Sequence, residues 1–299
     1  MPEAIPVLLN TRAGQGTDAA AVRAAFARQG LDAEQHACAD AAAMELALDA
    51  ALARRPRVVV AAGGDGTATS VAARLLDTGI ALGLLPLGTL NHFAKDLELP
   101  LELDGAARVI ADGAMRTIDV GEVDGRVFLN NSSLGLYPHI VVDREAARRR
   151  LHLGKWPALA RATWRALREP HALTITLHVD GATLRRRTPF LFVGNNRYTL
   201  QGLEAGRREH LDGGRLSLHV LREQTPLGFL WLALRTLCGR MSTARDFESR
   251  TAAGFQVDAA GDAIDVACDG EVTRVPLPLR YRVRPRALRV LAPATGEAR

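Results

Sequence analysis

Residues 58–67 read Val-Val-Val-Ala-Ala-Gly-Gly-Asp-Gly-Thr, an apolar β-branched run that empties into a glycine turn carrying one carboxylate and one hydroxyl. Glycines let a backbone approach a phosphate closely and turn its N–H groups toward the anion. Gly63, Gly64, Gly66 and Thr67 are therefore candidate phosphate-binding residues, and Asp65 is placed to orient a phosphate-bound Mg²⁺. Residues 67–76 have helical character, and the N-terminus of that helix would face the same anion. The competing reading is a tight structural turn, because a glycine after a strand is common in α/β proteins.

A second run, residues 80–97, repeats the plan: an apolar strand, a Gly-Thr turn, then polar residues on a short helix. Gly88, Thr89 and Asn91 offer backbone, hydroxyl and amide groups to a nucleotide or substrate, with turn capping as the alternative. Cys268–Glu271 reads Cys-Asp-Gly-Glu. Asp-Gly is the commonest hairpin dipeptide, so these two carboxylates compete with a plain turn. The eight histidines show no metal spacing.

Taken together, these motifs resemble the catalytic domain of the diacylglycerol kinase family, which includes soluble bacterial lipid kinases and the sphingosine and ceramide kinases. Gly63–Thr67 match the family's Gly-Gly-Asp-Gly-Thr turn, and Pro86, Gly88, Thr89, Asn91, Phe93 and Ala94 match its second motif. His92 stands where the family usually has Asp, and Thr11 where it has Pro in the Asn-Pro-x-Ser/Ala-Gly turn after the first strand. NAD kinases and phosphofructokinases share Gly-Gly-Asp-Gly, and the second motif separates them. The resemblance implies ATP and Mg²⁺ as cofactors and transfer of the γ-phosphoryl group to a lipid hydroxyl, diacylglycerol-like first. It implies that Asn10, Thr11, Arg12, Ala13 and Gly14 bind the nucleotide from the first strand's end, with Thr69 and Ser70 lining it where the family often has Asn and Glu. It makes Glu271 the first choice for the proton acceptor and Asp269 the next. Asp212 falls in a segment that holds a structural Mg²⁺ in some members; here Gly213 replaces the second Asp, and a plain turn is the preferred reading. An NAD kinase-like activity on a soluble substrate and a catalytically silent nucleotide-binding regulator are the alternatives.

The elements that must position these residues alternate at first. Strands are expected at 7–9, 58–62 and 81–85, and helices at 18–29, 41–53, 67–76 and 105–112. That order predicts a parallel sheet with helices on both faces, whose ligands bind at the strands' carboxyl ends. From about residue 116 short strands follow one another at 117–123, 127–130, 173–179, 183–188, 190–193, 216–221, 263–267, 272–276 and 288–291, with Asp124-Gly125 and Asp180-Gly181 as hairpin turns. The expected fold is α/β plus β: a Rossmann-like three-layer nucleotide domain at 1–124, then an antiparallel β-sandwich lipid-substrate domain at 125–285. By the resemblance, a C-terminal strand within 286–299 completes the first domain.

Composition sets the remaining bounds. The chain has 299 residues, 47% hydrophobic and 24% charged, with a formal charge of +5. This mild basic excess suits a protein that handles ATP and anionic lipid, and no nucleic-acid motif accompanies it. No run approaches the ~20 apolar residues of a membrane span. No signal peptide is expected, and Cys38, Cys238 and Cys268 have neither disulfide nor zinc spacing, which suits a reducing cytoplasm. Arginines and tryptophans between Arg144 and Arg168 have the composition of an interfacial helix, with a packed helix as the equal alternative. The expected location is the cytoplasm, with reversible association to the inner face of the cytoplasmic membrane. A homodimer is carried as one assembly.

Overall fold

The computed structural model describes residues 4–13, 18–135, 172–199, 207–208, 210–222 and 246–294. The chain divides into two units, Met1–Val120 with Pro285–Arg299, and Gly121–Arg284.

Unit 1 alternates strand and helix: β1 (Ile5–Asn10), α1 (Ala19–Arg28), β2 (Ala33–Cys38), α2 (Ala41–Ala53), β3 (Val58–Gly63), α3 (Asp65–Leu75), β4 (Ala81–Pro86), α4 (His92–Asp96) and α5 (Leu103–Asp112). Local signals set the helix ends. Asp18 caps α1 by accepting from the Ala20 N–H at 2.8 Å, and Asp40 caps α2 through Ala43 at 2.9 Å. Gly30, at φ 68°, follows the end of α1 in the left-handed region. Strands β2, β1, β3 and β4 lie side by side, all parallel. Alternate side chains of β1, β3 and β4 (Val7, Leu9, Val60, Ala62, Leu85) pack with Val22 and Phe26 of α1 and Ile110 of α5. Leu8, Val59, Ala61, Leu82 and Leu84 are buried on the other face, where α2 contacts β1 and α3 contacts β3 and β4.

The remaining strands are β5 (Ala114–Val123), β6 (Arg126–Phe128), β7 (Asn131–Gly135), β8 (Leu173–Val179), β9 (Ala182–Thr188), β10 (Phe190–Asn195), β11 (Tyr198–Thr199), β12 (Arg207–Arg208), β13 (Leu216–Leu221), β14 (Phe247–Ala252), β15 (Gly254–Ala259), β16 (Ala263–Cys268), β17 (Glu271–Pro276) and β18 (Leu279–Ala292). Within unit 2 the first half of β18 joins β15, β8 and β9 in one antiparallel sheet. A second antiparallel sheet runs β14-β13-β10-β7-β16-β17. Ile175, Leu177, Val257 and Tyr281 of the first meet Leu134, Val193, Leu218 and Val266 of the second in one core, which makes unit 2 a β-sandwich. The second half of β18 belongs to unit 1, where Arg289 and Val290 pair in parallel with Ala81 and Leu82 of β4.

The structure extends the sequence reading in three places. Strand β2 forms at the edge of the unit 1 sheet from the polar run Ala-Glu-Gln-His-Ala-Cys. Helix α3 starts two residues before the expected Thr67, so Asp65 lies in its first turn. Strands β7, β14 and β15 also form where no strand was expected.

Candidate active site

In unit 1 the register puts Leu9 beside Ala62, and Gly63 beside Pro86, so the turns leaving β1, β3 and β4 emerge as neighbours. The Leu87 N–H donates to the Gly63 carbonyl at 2.9 Å. Gly64 and Gly88 then meet backbone to backbone. A Cβ on Gly88 would lie 2.5 Å from the Gly64 Cα, so no other residue fits without moving one loop. Asn10 Nδ2 donates to Thr67 Oγ1 at 2.9 Å and ties the β1 turn to α3. Asp65 Oδ1 accepts the Phe93 N–H at 3.0 Å and ties α3 to α4. The three turns are one locked assembly at the carboxyl edge of the sheet, with the N-terminus of the 11-residue helix α3 inside it.

Individual residues take distinct parts. Asn91 adopts a left-handed conformation at φ 50°; its Oδ1 accepts the Gly88 N–H at 3.0 Å, and its Nδ2 donates to the Pro86 and Gly88 carbonyls at 3.1 and 2.9 Å. Its amide thus builds the turn. Asn10 does similar work for its own loop, accepting the Arg12 N–H at Oδ1 (3.0 Å) and the Ala13 N–H at its carbonyl (3.1 Å). Both the N–H and the hydroxyl of Thr11 donate to the Cys38 carbonyl, at 3.1 and 3.3 Å, holding β2 to this edge. Ser70 Oγ donates back to the Gly66 carbonyl at 2.9 Å, and Thr69 is half-buried on α3. Arg12, Thr89 and His92 are exposed. Gly14 and the Arg144–Arg168 segment lie outside the described residues.

The donor set fits a shared metal better than a caged one. Among the described residues no group of three His, Cys, Asp or Glu side chains converges on a metal-sized site. Mg²⁺ is commonly held by one or two carboxylates together with substrate phosphates and water. Asp65 fits that pattern, since its hydrogen bond to the Phe93 N–H occupies Oδ1 alone. Asp212 is exposed, and the next residue, Gly213, donates its N–H to Asn196 Oδ1 at 2.8 Å to staple a turn.

In unit 2 the Asp-Gly-Glu motif is the hairpin between β16 and β17, with Asp269 and Gly270 at φ 46° and 90°. The Asp269 carboxylate accepts the N–H groups of Leu129, Asn130 and Asn131 at 2.7, 2.9 and 3.0 Å. Its own N–H donates to the Asn131 carbonyl at 2.9 Å. Asp269 is occupied as a cap, whereas Glu271 opens β17 exposed to solvent. The Cys268 thiol is pushed up to about 12, chiefly by burial, although Ser132 hydrogen-bonds it. It stays protonated. Sequence reasoning missed Asn130 and Arg208, which stand behind Asp269: Arg208 Nη2 donates to Asn130 Oδ1 at 3.0 Å. Nothing local marks Arg208 in the run Arg-Arg-Glu-His.

With this geometry in hand, the chain can be set beside known proteins. A family model of the diacylglycerol kinase catalytic domain matches residues 4–123, and one of the YegS C-terminal NAD kinase β-sandwich-like domain matches residues 139–292. The chain is 32% identical over 252 residues to a Pseudomonas aeruginosa protein called "Probable lipid kinase YegS-like", covering 83% of this chain and 80% of that one. It is 36% identical over 121 residues to the diacylglycerol kinase of Bacillus subtilis, covering 40% of each chain. A crystal structure of a diacylglycerol kinase from Bacillus anthracis superimposes with a TM-score of 0.69 over 97% of both chains at 17% identity, which is a likeness of fold. The architecture is that of a two-part kinase, a parallel α/β unit and a β-sandwich. The chain belongs to the YegS-like lipid kinases of the diacylglycerol kinase catalytic-domain family.

Proposed function

We propose that this protein is an ATP-dependent lipid kinase that moves the γ-phosphoryl group of ATP to the hydroxyl of a diacylglycerol-like lipid. The observation that carries the reading is the locked set of turns in unit 1: Gly64 against Gly88, Asn10 on Thr67, and Asp65 on the Phe93 N–H. Backbone N–H groups and the α3 N-terminus there suit the phosphate chain of a nucleotide. Asp65 would hold Mg²⁺, which when bound neutralises charge on the transferred phosphoryl oxygens. A bond forms between the acceptor oxygen and the γ-phosphorus, the bond from the γ-phosphorus to the β–γ bridging oxygen breaks, and ADP leaves. Glu271 accepts the acceptor's hydroxyl proton, a role its exposed carboxylate suits better than the capped Asp269.

The lipid is met at the inner face of the cytoplasmic membrane. Among the described residues no helix is long and apolar enough to cross a bilayer. The basic Arg144–Arg168 segment is the proposed contact with anionic headgroups.

The test is a panel of diacylglycerol, monoacylglycerol, phosphatidylglycerol, ceramide, sphingosine and NAD with γ-labelled ATP and Mg²⁺. Label transfer to one of the lipids is expected. Transfer to NAD alone would make the protein a soluble-substrate kinase. Mg-ATP binding with no transfer to any acceptor would make it a regulator, a reading that exposed His92 in place of the family's Asp would then explain.

A further inference from the structure

Arg208 lies on the two-residue strand β12, opposite Tyr198 of β11, and is only 5% exposed. Its guanidinium carbon stands 5.5 Å from the centre of the Tyr198 ring. Nη1 donates to the Leu129 carbonyl at 2.6 Å and to the Asn195 carbonyl at 3.3 Å, and Nη2 donates to Asn130 Oδ1 at 3.0 Å. Asn195 Nδ2 joins it on the Leu129 carbonyl at 2.9 Å, and the Asn195 N–H donates to the Asn130 carbonyl at 2.9 Å.

The Leu129 carbonyl and the Asn130 N–H are two ends of one peptide group. Arg208 sits at the carbonyl end, and Asp269 Oδ1 accepts from the N–H end at 2.9 Å. A cation on the carbonyl polarises the peptide and makes its N–H a stronger donor. The chain turns a corner at Leu129–Asn131, and that corner is gripped from one side by Arg208 and Asn195 and from the other by Asp269.

We infer that Arg208 is a positioning residue: it fixes the Leu129–Asn131 corner, the corner's amides hold the Asp269 carboxylate, and the Asp269-Gly270 turn fixes where Glu271 enters β17. A planar fork is required, because a lysine ammonium cannot reach a main-chain carbonyl and a side-chain amide oxygen with the same geometry. Removing the fork leaves buried acceptors without it, and that penalty falls on the corner. The kinetic consequence rests on the reading of Glu271 as proton acceptor; the structural consequence does not.

The experiment uses the full chain with Arg208→Gln, Arg208→Lys, Asp269→Asn and the double variant Arg208→Gln/Asp269→Asn. Hydrogen exchange by mass spectrometry follows the peptide spanning residues 129–131, with the peptide around Phe93 as the control. Exchange at 129–131 should rise roughly tenfold in Arg208→Gln, the equivalent of one lost hydrogen bond, while the control stays unchanged. On a working lipid acceptor, kcat should fall roughly 10- to 100-fold with KM for ATP unchanged. The double variant should be no worse than the weaker single. Arg208→Lys should fall between wild type and Arg208→Gln in both readouts, and it carries the test if Arg208→Gln does not fold. Wild-type exchange at 129–131 in Arg208→Gln, strictly additive losses in the double variant, or a Lys variant equal to wild type in exchange and kcat would each overturn the inference. Absence of kinase activity in the wild type would count against the kinase reading alone, and the exchange result would still decide the role of Arg208.

Discussion

In unit 1 the candidate site is made where backbones touch: Gly64 lies against Gly88, the Leu87 N–H meets the Gly63 carbonyl, and the α3 helix begins inside the turn. In unit 2 the Asp-Gly-Glu hairpin is held by side chains that come from far along the sequence, with Asp269 reaching the amides of Leu129–Asn131 and Arg208 reaching the carbonyl behind them. The two constructions fail differently. A site built from touching backbones depends on what its residues lack, above all a Cβ on Gly88. A side-chain-built hairpin depends on a buried polar network in which each partner matters.

The comparison is most sharply tested at the two carboxylates left for chemistry. Asp65→Asn keeps an oxygen for the Phe93 N–H and removes the charge, so turnover should fall by a factor on the order of 10³ or more with the fold intact by circular dichroism. Glu271→Gln should lower kcat by roughly 10²–10⁴ and leave Mg-ATP affinity, measured by calorimetry, at wild type. Near wild-type kcat in Glu271→Gln would move the proton acceptor to another group.

The contrast also decides what was legible. The Gly63–Thr67 and Pro86–Ala94 motifs are contiguous because backbone contacts between adjacent parallel strands use local stretches of chain, and the sequence displays them openly. Strand β2 is hidden because an edge strand needs few apolar residues, and its six positions are almost all polar or alanine. Strand β7 is hidden for a different reason: it is central and buried, yet reads Asn-Ser-Ser-Leu-Gly. Ser132 is tolerated there because it hydrogen-bonds the Tyr281 hydroxyl at 3.0 Å, a partner 149 residues away. Arg208 is hidden by the same physics. Its value lies in acceptors brought to it by the sandwich, and no local pattern records them. The α3 boundary was misplaced because Asp65 and Gly66 look like turn residues, although an acidic residue in the first turn is favourable to a helix.

Acid should separate the units next. His219, buried on β13, has its imidazole held down to about 4 by burial. Its Nδ1 meets Ser249 Oγ at 2.8 Å, and the rings of Phe192 and Phe247 stand 5.9 and 6.4 Å away. Between about pH 6.5 and 4 the unfolded chain takes a proton that the folded chain refuses. This stability is therefore present above pH 6.5 and is lost as pH falls toward 4, by roughly 3 kcal/mol. Denaturant melts of wild type and His219→Phe across that range should differ in slope against pH. Parallel slopes would show that the imidazole is not what makes unit 2 acid-sensitive.

Gly88→Ala probes the backbone contact itself. The new methyl would meet the Gly64 Cα, and relief requires parting two loops; overpacking of this kind costs about 1–3 kcal/mol. The melting temperature should drop, and Mg-ATP affinity should drop with it, because the contact lies within the proposed phosphate site. A stability loss with unchanged ATP affinity would place the nucleotide elsewhere.

The smallest expected effect asks how much the side-chain link between the β1 turn and α3 matters. Thr67 is buried, and its hydroxyl accepts from Asn10 Nδ2 at 2.9 Å, a side-chain link between the β1 turn and α3. Thr67→Val keeps the branched shape and removes the acceptor, which should cost about 1 kcal/mol; Thr67→Ser keeps the hydroxyl and should recover most of it. Mg-ATP affinity should weaken about twofold to fivefold in the valine variant, the fraction of that energy expected if the loosened loop touches the nucleotide. If Thr67→Val melts like wild type and binds Mg-ATP equally well, the β1 turn is held by its own bonds, Arg12 and Ala13 on Asn10 and Thr11 on Cys38, without help from α3. The contrast between a site in unit 1 built where backbones meet and a hairpin in unit 2 held by distant side chains would then be sharper.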